Sequence, residues 1–111
     1  MSGQSLEDYS TQYIFKLLGM RNTRIFTVLS ENQNFGSRVF GQSGDEVYDL
    51  YHLEGVTGDG AVYSTTDDLL KWHYGLLYNK LIPAKLKKEA FLPAVLNDGS
   101  KSYYGFGWSI D

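Results

Sequence analysis

Gly58-Asp59-Gly60-Ala61-Val62-Tyr63-Ser64-Thr65-Thr66-Asp67-Asp68-Leu69-Leu70-Lys71-Trp72 is the stretch whose reading organises the chain. Two glycines one residue apart let the backbone reach positive φ or lie close against a neighbour, and Ser64 three residues before Asp67 offers a capping box. A tight loop therefore feeds a capped helix. Asp67 and Asp68 fall in its first turn, where free N–H groups and the helix dipole favour negative charge. Leu69, Trp72, Leu76 and Leu77 follow at helical spacing on one face. Capping alone accounts for a hydroxyl at 64 and a carboxylate at 67, so neither is assigned a catalytic role.

Upstream, Ser5 stands three residues before Asp8, and Leu6, Tyr9, Tyr13, Ile14, Leu17 and Leu18 recur at helical spacing. This predicts a helix from about residue 6 to about 18, with Gly19 as the residue just past its end and Met20 folding back over the last turn. Gly3 has the character of the end of an earlier helix. Ile25 to Leu29 is β-branched and aromatic, residues 31–37 form a polar turn region, and Arg38-Val39-Phe40 is a candidate return strand. Ser43-Gly44-Asp45 is a turn, and Val47 to Leu53 has no clean period and is read as an extended loop.

Asn79-Lys80 ends the central helix. Pro83 then opens a short basic helix from Ala84 to about Phe91, with Lys85, Lys87 and Lys88 as its solvated face. Asn97 to Ser100 is a turn. Tyr104, Phe106, Trp108 and Ile110 alternate with small residues as a strand would, and the interleaved glycines predict a backbone lying close against one face. The fold class is α+β: about three helices, a short irregular hairpin and one carboxy-terminal strand.

The chain has 111 residues, 42% of them hydrophobic and 15% aromatic, which suits one modest core rather than a disordered tail. A net charge of −3 with no basic cluster excludes nucleic acid as the natural partner. Cysteine is absent, so there is neither a disulfide framework nor a thiolate metal site. No apolar run reaches the roughly 18 residues of a membrane helix. Asp45, Glu46, Asp49 and Glu54 miss the calcium-loop spacing, and His52 and His73 share no ligand spacing, so no metal and no cofactor is assigned.

Four blocks together resemble consecutive landmarks of the serine beta-lactamase and penicillin-binding-protein-like family, in its class C, esterase and D-alanyl-D-alanine carboxypeptidase branch. They are Ser2 to Tyr9, Ile14 to Met20 with Thr23 beyond, Gly58 to Leu69, and Tyr104-Gly105-Phe106-Gly107-Trp108. The family usually has proline where Leu17 stands and a second glycine where Ala61 stands. The resemblance implies an antiparallel sheet flanked by helices, a mostly helical inserted domain, and acyl-enzyme chemistry resting on Ser-x-x-Lys, Tyr-x-Asn and a Lys-Thr-Gly or His-x-Gly strand.

None of those motifs transfers. Ser-x-x-Lys and Tyr-x-Asn are absent, and His73-Tyr74-Gly75 falls inside a predicted helix rather than on a strand. The chain thus resembles the stretch between the second and third motifs: one partial domain over 1–111, with 102–110 a strand of the parent's sheet. No catalytic, cofactor or metal residue is assigned to it. Its implied role is to form most of the helical domain and part of one cleft wall, with Tyr48, Tyr51 and Tyr63 as candidate wall residues. The implied partner is the remainder of the hydrolase, in a periplasmic or extracellular setting. The alternative is a stand-alone binding or assembly module that dimerises through its carboxy-terminal strand.

Overall fold

The computed structural model describes residues 2–27, 39–48, 56–58 and 60–110. Among these the chain is a mixed α+β arrangement. The first helical segment runs through α1 (Leu6–Ser10), a π-helical stretch (Thr11–Phe15) and α2 (Lys16–Leu18). Then follow β1 (Arg24–Ile25), β2 (Gly41–Ser43), β3 (Glu46–Tyr48), β4 (Val62–Tyr63), α3 (Thr66–Leu77) and α4 (Ala84–Ala90). Contacts divide the chain into two compact units, Met1–Lys71 and Trp72–Asp111.

In the first unit, Ser5 caps α1 by accepting the Asp8 N–H at 3.0 Å while its hydroxyl donates to the Asp8 carboxylate at 2.7 Å. The far end closes as a Schellman motif: Met20 N–H reaches Phe15 O at 2.8 Å and Gly19 N–H reaches Lys16 O at 3.2 Å. Gly19 sits at φ 70, which a side chain would resist, and Met20 folds back to 4% exposure.

The buried side of this segment differs from the predicted stripe. Phe15 is buried with Ser10, and Ile14 and Leu18 lie half-buried, whereas Leu6, Tyr9, Tyr13 and Leu17 remain exposed. The apolar positions span more than one face, and the side holding Glu7, Ser10, Phe15 and Leu18 is the one turned inward. Among the described residues of the unit, Phe15, Met20, Ile25 and Phe26 are the buried apolar ones.

Two antiparallel strand pairs form among the described residues. Ile25 belongs to β1, which pairs antiparallel with β4 (Arg24↔Tyr63, Ile25↔Val62), and Phe26 N–H extends the ladder to Ala61 O at 2.9 Å. The hairpin is β2–β3, joined across the turn at Gly44-Asp45 with Gly41↔Tyr48, Gln42↔Val47 and Ser43↔Glu46. Its chemistry is local, whereas the β1 partner lies far along the chain and no short-range turn signal announces it. The strand end at Val28-Leu29, the polar stretch 31–37 and Arg38 lie outside the described residues, as do 49–53 of the predicted loop.

Ala61 holds φ 66 immediately before β4. That is a left-handed conformation which costs a residue with a Cβ about 1–2 kcal/mol.

In the second unit, Trp72 stacks on Trp108 (centroids 5.5 Å, 13° apart) and Phe91 tilts against Trp108 at 4.7 Å. Trp72 and Leu76 are half-buried and Gly75 is buried, but Leu69 and Leu77, placed on the same face by their spacing, are about half exposed. Asn79, at φ 56, ends α3 with a second Schellman pair: Lys80 N–H to Gly75 O at 2.8 Å and Asn79 N–H to Leu76 O at 3.2 Å. Lys87 is not simply solvated. Its Nζ donates to Leu76 O and Leu77 O, both at 3.0 Å, and so caps the negative end of α3 from α4.

The last segment is more broken than its alternation suggests, carrying isolated bridges Val95↔Lys101 and Tyr104↔Ser109. Gly105 N–H bonds Trp108 O at 2.8 Å and Gly107 takes φ 81, so the glycines turn the chain in the middle of the stretch. The close backbone that they predict is present. A Cβ on Gly105 would lie 2.3 Å from Ala90 O and 3.1 Å from Leu92 O.

Gly105→Ala therefore destabilises the protein by about 3 kcal/mol, read as a lower urea midpoint, because a carbonyl must be displaced. Ala61→Gly acts in the opposite sense and raises stability by up to about 1 kcal/mol in the same experiment, since relief of the left-handed strain outweighs glycine's extra unfolded-state entropy.

Candidate functional site

The chemistry-bearing side chains of the first unit converge where α3 begins. Thr65, not Ser64, caps the helix: its Oγ1 accepts the Asp68 N–H at 3.3 Å. The cap sits one residue later than predicted because Ser64 is engaged elsewhere, its Oγ lying 2.7 Å from Thr23 Oγ1. Thr23 in turn donates to Asp68 Oδ2 at 3.0 Å. Since that uses the single hydroxyl hydrogen of Thr23, Ser64 is the donor in the Ser64–Thr23 pair.

Asp68 is the centre of this arrangement and is fully buried. Besides Thr23 it accepts the backbone N–H of Asn22 at 2.7 Å and an ion-paired hydrogen bond from Lys71 Nζ. The same ammonium reaches Gly19 O at 3.0 Å. Burial pushes the Asp68 carboxyl up, but the hydrogen bonds from Lys71, Asn22 and Thr23 and the Lys71 charge outweigh it and hold the group below the ordinary carboxylate value. A carboxylate so held is a weak base, and Lys71 is committed to it.

A hollow of about 810 Å³ opens beside these groups, lined among others by Arg21, Asn22, Arg24, Tyr63, Ser64 and Thr65. Arg24 faces Glu7 at 3.7 Å within it. No described imidazole reaches Ser64. His73 lies on α3 against Tyr74, ring centroids 5.7 Å apart, so the string His73-Tyr74-Gly75 is helical, as the sequence places it.

Of the candidate wall residues, Tyr63 is half-buried with its ring edge-on to Phe26 at 5.9 Å. Tyr48 is exposed on β3, and its hydrogen bond to the Glu46 carboxylate pushes the phenol up, so it is no proton acceptor at neutral pH. Tyr51 lies outside the described residues, as do Asp49, His52, Glu54 and Asp59. Among the described residues there is no group of three or more His, Cys, Asp or Glu side chains able to hold a metal ion. No helix among them is long and apolar enough to cross a membrane.

Sequence reasoning missed the hub at Asp68. Its partners Asn22 and Thr23 are 46 and 45 residues away, and the only signal was a second acid following Asp67 in an apolar helix. Asp68→Asn replaces the charge with an amide that turns a donor toward Lys71, and costs about 2–4 kcal/mol in urea unfolding at pH 7. The native value of this carboxyl lies below the unfolded one. Its contribution is therefore fully present above pH ~4 and is lost as pH falls through the native value. Between pH 7 and pH 3 the wild type loses stability more steeply than Asp68→Asn.

A family model described as Beta-lactamase matches residues 1–111. The chain is 31% identical over 122 residues to Penicillin-binding protein 4* of Bacillus subtilis (strain 168), covering 98% of this chain and 27% of that protein. It is 27% identical over 112 residues to Putative penicillin-binding protein PbpX of the same organism, covering 99% and 27%. No solved structure matches. The chain spans 27% of the length of these curated relatives, matched along almost its whole extent. It belongs to the beta-lactamase family and is similar to these two penicillin-binding proteins.

Proposed function

We propose that this chain is the portion of a bacterial class C-like, acyl-enzyme serine hydrolase that lies between the Tyr-x-Asn and His-x-Gly motifs, and that it scaffolds one wall of the cleft without catalysing by itself. The observation that carries this is a family match over residues 1–111 in a sequence that holds neither Ser-x-x-Lys nor Tyr-x-Asn. Acyl transfer needs an activated nucleophile and an oxyanion hole. The described hydroxyl closest to that role, Ser64, donates to Thr23, and the carboxylate behind Thr23 is already bound by Asn22, Thr23 and Lys71.

The substrate of the whole enzyme is proposed at the level of class: a β-lactam, a peptidoglycan stem peptide or a simple ester, met in a periplasmic or extracellular setting. A second reading, a binding or assembly module, draws on the exposure of Tyr103 (83%) and Phe106 (70%) in the carboxy-terminal stretch.

Incubation with a fluorescent penicillin and a chromogenic ester, with light scattering on the same sample, tests both. The expected result is an unlabelled protein with no turnover above that of Ser64→Ala. Labelling near stoichiometry overturns the proposal. A dimer that Phe106→Lys dissociates supports the module instead.

A further inference from the structure

Asn97-Asp98-Gly99-Ser100 forms the tip of a small hairpin. Its arms are joined by the bridge Val95↔Lys101, by Ser102 N–H to Ala94 O at 2.8 Å and by Ala94 N–H to Tyr104 O at 3.1 Å. At the tip, Gly99 N–H bonds Leu96 O at 2.9 Å, and Leu96 N–H bonds Ser100 O at 2.8 Å. Gly99 takes φ 84, so the tip is a tight turn followed by a left-handed glycine, a common form of three-residue hairpin loop.

An aspartate followed by glycine carries a latent reaction. The Gly99 nitrogen, unshielded by any side chain of its own, can bond to Asp98 Cγ. Its proton leaves, one carboxyl oxygen departs as water, and a five-membered imide closes. Water then adds at either carbonyl of the imide, giving back aspartate or giving isoaspartate, in which the main chain runs through Cβ. One water leaves and one returns, and no other reactant is needed. Asp98 and Gly99 are both exposed, so that water is at hand.

The folded turn opposes this reaction at both reacting atoms. The Gly99 nitrogen is tied to Leu96 O and must let go before it can attack. The Asp98 carboxyl is held at one oxygen, Oδ1, which accepts the Ser100 hydroxyl at 2.6 Å and the Ser100 N–H at 2.9 Å. Those two bonds, the hydroxyl's first, hold the carboxyl below the ordinary aspartate value. An ionised carboxylate is a poor electrophile, because attack adds negative charge to a group already negative. The neutral acid is the form that loses water, and Ser100 keeps it scarce.

We propose that Asp98-Gly99 is an isoaspartate-forming site which the hairpin keeps closed, with Ser100 as its guard, so that isomerisation proceeds in molecules whose turn has opened. The product lengthens the main chain between Val95 and Lys101 by one methylene, and their bridge loses its register. The same hairpin leads directly into Phe106 N–H on Ala90 O, at 3.0 Å. A transient opening of the tip is thereby recorded as a covalently loosened carboxy-terminal segment.

The test ages the full 111-residue chain for several weeks at neutral pH in water enriched in heavy oxygen, beside a synthetic peptide of residues 94–104 as the open reference. Peptide mapping with isoaspartyl methyltransferase labelling separates this site from the other Asp-Gly step, Asp59-Gly60. Isoaspartate carrying one solvent oxygen is expected at Asp98, forming at least tenfold more slowly in the chain than in the peptide. Ser100→Ala speeds it at least threefold in the chain and less than twofold in the peptide. Ser100→Thr, which keeps the hydroxyl, stays within twofold of wild type. A chain that ages as fast as the peptide overturns the proposal, as does Ser100→Ala ageing no faster than wild type. Ser100→Thr ageing as fast as Ser100→Ala overturns it too, by removing the hydroxyl from the argument. Label that persists in the same peptide of Asp98→Glu places the reaction elsewhere and also overturns it.

Discussion

The buried carboxylate of Asp68 is the constraint on which the first unit depends. Its elements are individually too small to hold one another: β1 and β4 pair over two residues each, and a two-stranded ladder of that length is marginal in water. Asp68 joins two separate pieces of backbone, the link between α2 and β1 and the start of α3. Through Asn22 and Thr23 it fixes the link between α2 and β1, through its own N–H and Thr65 it belongs to the start of α3, and through Lys71 it reaches back to Gly19. Burying such a charge is favourable only when it is paired and hydrogen-bonded, and here three donors bind it, two on Oδ2 and Lys71 on Oδ1. Removing one donor would leave a cost with no compensating contact.

What was legible in the sequence was whatever is decided within about five residues. Ser5 as a cap, Gly19 and Met20 at the helix end, the turn at Gly44-Asp45 and the start of α4 after Pro83 are all local hydrogen-bond problems, and each stands where its residues place it. The close backbone beneath Gly105 was legible for the same reason, since glycine in an otherwise aromatic stretch has few other uses. Pairings across long separations were not. β1 finds β4, Lys87 finds the carbonyls of α3, and Asp68 finds Asn22, none with a spacing rule behind it. At the candidate site, the sequence placed the hydroxyls and acids correctly near the helix start. It misassigned the cap by one residue because Ser64 and Thr65 are chemically equivalent caps until Thr23 takes one of them.

Apolar periodicity failed in a different and more informative way. The stripes in the first helical segment and in α3 are wider than the surface the described residues bury, so Leu6, Tyr13, Leu17, Leu69 and Leu77 keep roughly half their area in water. A sequence chosen to fold around one small core would not carry so many large apolar side chains outside it. On the function proposed for the chain, which spans 27% of the length of its curated relatives, this excess is surface for the rest of a domain.

The same bookkeeping separates structure from catalysis. A nucleophilic serine needs a base with a free lone pair directed at it, and a structural hub needs its buried charge paired and hydrogen-bonded. Ser64, Thr23, Asp68 and Lys71 supply the residue types of the first arrangement in the geometry of the second: the proton of Ser64 goes to Thr23, that of Thr23 to Asp68, and Lys71 neutralises the end of the chain. Freeing the carboxylate to act as a base would dissolve the contacts that position Ser64. The burial of Asp68 commits these four residues to holding the start of α3 against the link between α2 and β1.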